Sequence, residues 1–156
     1  CPNERYIDAA QRVWKAPKRI AGAMHTKSPE ADWFEALYKM AGDSLRYLYS
    51  ISVRDWIFIS YLEYYKTRNM IYKTEWEEAF RGHVKETVGR LKRLTDRFHI
   101  LITDFPFAVE NGPDATLHTT CQDPHFYEKT SYGVTPAQWL WDAINKNGYD
   151  AGVDLL

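Results

Sequence analysis

Residues 80–101 carry the pattern that most restricts how this chain can fold. Phe80, Val84, Thr87, Leu91, Leu94, Phe98 and Leu101 follow one another at steps of four and three. On a helix such steps draw one seam along a single face, the heptad pattern of coiled-coil packing. A seam of this kind demands a facing helix. Thr74 and Glu77 stand ahead of it at capping-box spacing. The pattern therefore predicts one helix over 74–102, on the order of 40 Å long at about 1.5 Å per residue. Its weak points are Gly82 and Gly89, each costing roughly 1 kcal/mol against alanine in a helix interior.

The natural partner comes just before it. Residues 44–68 read as a helix with a weak point at Ser50-Ile51-Ser52, and 67–73 as a short turn that makes the two neighbours antiparallel. Further upstream, Tyr6, Ile7, Ala10, Val13 and Trp14 line one face of a helix opened by Asn3 and stopped by Pro17. Ser28-Pro29 reads as a cap and first-turn proline for another, with Trp33, Phe34, Leu37, Met40 and Ala41 on one side and Gly42 at its end. No sheet is indicated. The expected fold is all-α: a long antiparallel helical hairpin with two shorter N-terminal helices, making a helical domain over 1–102. An extended, aromatic-rich C-terminal arm follows over 103–156. Its rings Phe105, Phe107, Phe126, Tyr127 and Tyr132 lack helical spacing, so 104–134 is expected to gain order by draping over a surface. The arm ends in a short helix opened by Thr135-Pro136 and carrying Trp139, Leu140, Trp141 and Ile144.

Seven of residues 55–76 are Trp, Phe or Tyr. On a helical wheel Trp56, Phe58, Ile59, Leu62, Tyr64 and Tyr65 point in all directions, and a helix apolar all round is buried on all sides. The chain's own helices have their own stripes to cover. The expected partner interface is therefore Trp56, Phe58, Tyr61 and Tyr65, joined by Phe126, Tyr127, Trp139 and Trp141 of the arm. Tyr and Trp suit both protein interfaces and the membrane–water boundary.

Charge narrows the partners. The net charge is −1, made of +3 over 1–30, −2 over 31–80, +4 over 81–102 and −6 over 103–156. That balance predicts no nucleic-acid binding. Arg90, Lys92, Arg93 and Arg97 form a basic run on the long helix, read as a solvated face in preference to a phosphate or lipid-head contact. No apolar run reaches the 18 residues of a membrane span.

Constellations with chemical potential are sparse. His83 and Glu86 share a helix face near Glu78, with Glu63 available on the preceding helix. A di-metal bundle needs two such His/Glu pairs and only one is present. His118, Cys121 and His125 have the spacing of half a zinc site, for which His99, Cys1 or Asp123 would have to complete four ligands. Cys1 admits nucleophile and lipid-anchor readings, and Pro2 favours neither. Only two cysteines are present, too few for a disulfide scaffold, though they could form one bridge. The common phosphate-loop, nucleophile-elbow and dithiol motifs are missing. No catalytic residue, cofactor or metal is expected.

The first residue is Cys1, so a cleaved targeting peptide is expected. With a basic segment following, this points to an accessory, non-catalytic subunit of a mitochondrial membrane complex of respiratory-chain or ATP-synthase type. It would sit at the periphery of the inner membrane among other protein subunits. The alternative is a small helical enzyme or ligand carrier with a pocket lined by Tyr61, Tyr65 and His83.

Overall fold

The computed structural model describes residues 28–120 and 124–156. The helix expected over 3–15, Cys1, Cys121 and Asp123 lie outside them. The described elements are α1 (Pro29–Ala41), β1 (Tyr47–Ser52), α2 (Trp56–Thr67), α3 (Glu77–Lys92), β2 (Phe98–Thr103) and α4 (Pro136–Asn145), with short 3-10 turns at Gly42–Ser44, Thr74–Trp76 and Val153–Leu155.

The all-α expectation is overturned. The described residues hold four α-helices and a two-stranded parallel sheet, and no long antiparallel hairpin is formed. The helix expected over 74–102 runs through Gly82 and Gly89 unbroken and stops at Lys92. Its supposed last turns, Phe98-His-Ile-Leu-Ile-Thr, are β2. Leu94, Phe98 and Leu101 satisfy helical steps, but the same run is continuous, aromatic and β-branched, which suits a strand buried on both faces. Accordingly Phe98, Ile100, Leu101, Ile102 and Thr103 are all buried. The helix expected over 44–68 likewise divides. Tyr-Leu-Tyr-Ser-Ile-Ser makes β1, and a helix starts only after Asp55.

Register is set by backbone bonds. Tyr47 N–H donates to the Arg97 carbonyl at 3.0 Å and Val53 N–H to Thr103 at 2.8 Å. The same offset at both ends makes the pair parallel. Parallel strands need a crossover, and α2 and α3 supply it in sequence. On the other edge of β2, the Ala151 N–H donates to the Ile100 carbonyl at 2.8 Å and the Ala151 carbonyl accepts from the Ile102 N–H at 2.9 Å.

Caps follow partly from sequence. Thr135 accepts from Gln138 N–H at 2.9 Å and opens α4 as its spacing predicts. Ser28 precedes α1 but makes no side-chain cap. Its hydroxyl instead meets Thr87 Oγ1 at 2.5 Å. Thr74 lies in a 3-10 turn, and Glu77 Oε1 is taken by the Tyr72 hydroxyl at 2.8 Å, so the capping box there is not formed.

The described residues divide into two compact units, 28–47 with Lys85–Phe98, and Leu48–Val84 with His99–Leu156. In the first, Phe34 meets Phe98 edge-on at 5.0 Å and Tyr47 stacks on Phe98 at 6.1 Å. Arg90 pairs with the buried Asp32 at 2.9 Å and with Glu35 at 2.7 Å. In the second, Leu101, Trp139 and Ala151 form a core cluster against which Leu48, Tyr132, Val134, Leu140 and Tyr149 pack. The expected domain boundary at 102/103 falls within β2.

Candidate functional site

Polar side chains gather at the carboxyl end of β1. Ser52 Oγ lies 3.0 Å from Thr103 Oγ1 and donates to the Leu117 carbonyl. The chain 105–118 is held across this end. Leu117 N–H donates to Phe105 O at 2.9 Å, Thr116 N–H to Arg54 O at 2.9 Å, and Trp56 N–H to Thr116 O at 3.2 Å. His118 is the next residue along this held chain.

Asp55 is what His118 meets. It is buried and starts α2, with Oδ1 accepting from the Ile57 and Phe58 amides at 3.1 and 3.0 Å. His118 Nδ1 stands 3.0 Å from Oδ1 and 2.8 Å from Oδ2. Burial holds the Asp55 carboxyl above the ordinary carboxylate range, against the opposing pull of the Phe58 amide, His118 and the Ile57 amide. The His118 ring lies edge-on to Phe58 at 5.0 Å, and Phe58 stacks on Phe80 at 6.2 Å. Sequence reasoning missed this pair. An Asp directly ahead of an apolar helical run was a readable cap signal, but nothing local tied it to His118.

The expected interface residues fall in different surroundings. On α2, Trp56 stacks on Phe107 at 5.4 Å. Phe58 and Tyr61 are exposed, and Tyr61 stacks on Tyr65 at 6.2 Å. Tyr127 is 68% exposed and meets Phe126 edge-on at 5.1 Å. On α4 the two tryptophans part company. Trp139 is 4% exposed and donates its indole N–H to Tyr149 O at 2.9 Å, whereas Trp141 is 60% exposed. Ile144, one turn further, is 63% exposed, while Pro136, Trp139 and Ala143 turn inward. Ile144 is not one of the expected interface residues.

The ionisable constellations separate. His125 pairs with Glu128 at 2.8 Å on the surface. Glu63 is buried and committed to Lys73 at 2.9 Å and the Trp76 indole at 3.0 Å. Those two bonds hold its carboxyl below the ordinary range. Glu78 pairs with Arg81 on the surface, and Glu86 is exposed with His83 half-buried. Among the described residues no group of three or more His, Cys, Asp or Glu is placed to hold a metal ion. The basic run is not a free face: Arg90 is paired as above, Lys92 donates to Phe98 O at 2.8 Å, and Arg97 donates to Asp43 O. A hollow of about 350 Å³ is lined by Ile71, Tyr72, Lys73, Thr74, Glu75 and Asn111; none of the expected pocket residues Tyr61, Tyr65 or His83 is among these.

Compared with protein-family models, curated proteins and solved structures, the chain matches none.

Proposed function

We propose that this chain is an accessory subunit that docks into a larger protein assembly through exposed aromatic side chains of its second unit. One observation carries this: α4 turns Pro136, Trp139 and Ala143 into the chain's own core and leaves Trp141 and Ile144, three apart on the other face, in water. A single exposed ring is ordinary, but neighbouring large apolar side chains on one helix face are the kind of surface proteins use for binding. Tyr61 on α2 is exposed as well. Tyr and Trp at such positions bury a ring while the polar edge stays bonded.

In its specific form the proposal places the chain with other protein subunits of a mitochondrial inner-membrane complex, touching the membrane at most by its surface. Among the described residues no helix is long and apolar enough to cross a membrane. Nucleic acid is not the proposed partner, since most of the basic run is engaged within the chain.

The test is the double variant Trp141→Ser with Ile144→Ser, expressed in cells beside the unchanged chain. The expected outcome is an unchanged fold and melting temperature with loss of co-migration in a large particle on native gels of mitochondrial extract. Migration of both proteins as the same small species would refute the docking role. A large particle found only outside mitochondria would retain it and remove the organelle.

A further inference from the structure

We propose that His118, oriented by Asp55, is a general base that activates water against a carboxylic ester bearing an apolar group. This goes beyond the docking role and does not depend on it.

The geometry fixes the tautomer. An ionised carboxylate only accepts hydrogen bonds. With Nδ1 within 3.0 Å of both Asp55 oxygens, a neutral His118 beside the ionised Asp55 carries its proton on Nδ1. The lone pair then sits on Nε2. The ring is 28% exposed. Every interaction recorded for His118 among the described residues runs through Nδ1 or the ring contact with Phe58. Nε2 is thus a proton acceptor with no described partner, on a ring that cannot easily rotate away.

Three further features separate this pair from an ordinary surface histidine. Asp55 is buried, so its charge is weakly screened where imidazolium would form. The backbone on both sides of the pair is tied down by the Thr116 and Leu117 bonds. The pair stands just past the carboxyl end of a parallel strand, where open α/β sheets place their ligands. His125–Glu128 supplies the contrast: the same 2.8 Å contact, but with a half-exposed carboxylate.

The step balances with water alone. Nε2 takes a proton from water as the water oxygen bonds to the ester carbonyl carbon. The tetrahedral adduct then expels the alcohol oxygen, which receives the proton back from Nε2. The products are acid and alcohol, and the imidazole is regenerated. Asp55 is a positioning residue: it holds the tautomer and stabilises the transient imidazolium. Phe58, 37% exposed beside the ring, is the apolar surface that favours an apolar acyl or aryl group.

The experiment uses the full chain with 4-nitrophenyl butyrate across a pH series, comparing the unchanged protein with His118→Gln, Asp55→Asn and His125→Gln. Positioned general bases contribute roughly a hundredfold or more, so a loosely fitting probe should lose at least about tenfold on His118→Gln. The limb on which the rate falls as pH is lowered, where a general base becomes protonated, should vanish with it. Asp55→Asn should lose part of the rate and move that limb, and His125→Gln should change neither. Equal rates for the unchanged protein and His118→Gln would overturn the proposal, as would an equal loss on His125→Gln. Should Asp55→Asn fail to fold, the nitrogen-15 shifts of His118 in the unchanged protein decide. A proton on Nδ1 in the neutral ring supports the assignment, and a proton on Nε2 overturns it.

Discussion

Trp139 and Trp141 lie two residues apart on one helix, and the structure predicts opposite consequences for removing them. Trp139 is buried in the cluster with Leu101 and Ala151, and its indole N–H bonds to Tyr149 O. Replacing a buried Trp or Phe by Ala typically costs about 3–5 kcal/mol, part of it from the cavity left behind. Leaving the Tyr149 carbonyl without its partner adds about 1 kcal/mol. Alanine's better helix propensity returns about 0.5 kcal/mol. Trp139→Ala should therefore cost roughly 4 kcal/mol, a large share of the ~5–15 kcal/mol that holds a domain together. With a urea slope of about 2 kcal/mol per molar, its unfolding midpoint should fall by roughly 2 M. Trp141→Ala removes a ring that is 60% exposed and should stay within about 0.5 kcal/mol. Urea titrations followed by far-ultraviolet circular dichroism read both. A loss under about 1 kcal/mol for Trp139→Ala, or a comparable loss for Trp141→Ala, would refute the packing of 136–151 against β2 and with it the separation of core from docking face.

Two further outcomes follow from named contacts. The Glu63 carboxyl is held below its ordinary value of 4.5 and the Lys73 amine above its ordinary 10.5, each by the other and by Trp76 on the Glu63 side. A lowered acid pKa stabilises the fold above the unfolded value and loses that stabilisation as pH falls through the folded one; a raised amine pKa stabilises below its unfolded value and loses it as pH rises. Stability should thus decline at acid pH beyond 4.5, and Glu63→Gln should flatten that limb in thermal melts; an unchanged acid limb would contradict the pairing. Gly152→Ala should destabilise by at least about 1 kcal/mol, since Gly152 has φ +72° and a Cβ there would collide with the Ile102 carbonyl and the Tyr132 ring. An unaltered urea midpoint would show that the 151–152 turn is not held against β2 as described.

Two helix starts were read in the right place from local signals. α1 and α4 announce themselves through Ser28-Pro29 and Thr135-Pro136, because a proline in the first turn and an apolar stripe are properties of a few adjacent residues. The charged surface was less legible: Arg90 and Arg97 looked solvated, but their partners Asp32 and Asp43 lie far off in sequence.

The amino-acid sequence by itself settled the starts of α1 and α4 and the surplus of aromatic rings. It did not settle what residues 98–103 become. Their apolar spacing fits a helix seam, and their β-branched run fits a strand. The choice fell to pairing partners, β1 on one side and Ala151 on the other, whose bonds no local pattern records. The same holds for the site. Asp55 is a helix cap in sequence, and becomes the partner of His118 only because Thr116 bridges to Asp55 and carries the following chain past the end of β1. It holds again for the two tryptophans of α4, alike in composition and opposite in fate. Helical phase sets them on different faces, but only the neighbouring Leu101 and Ala151 decide which face is the core.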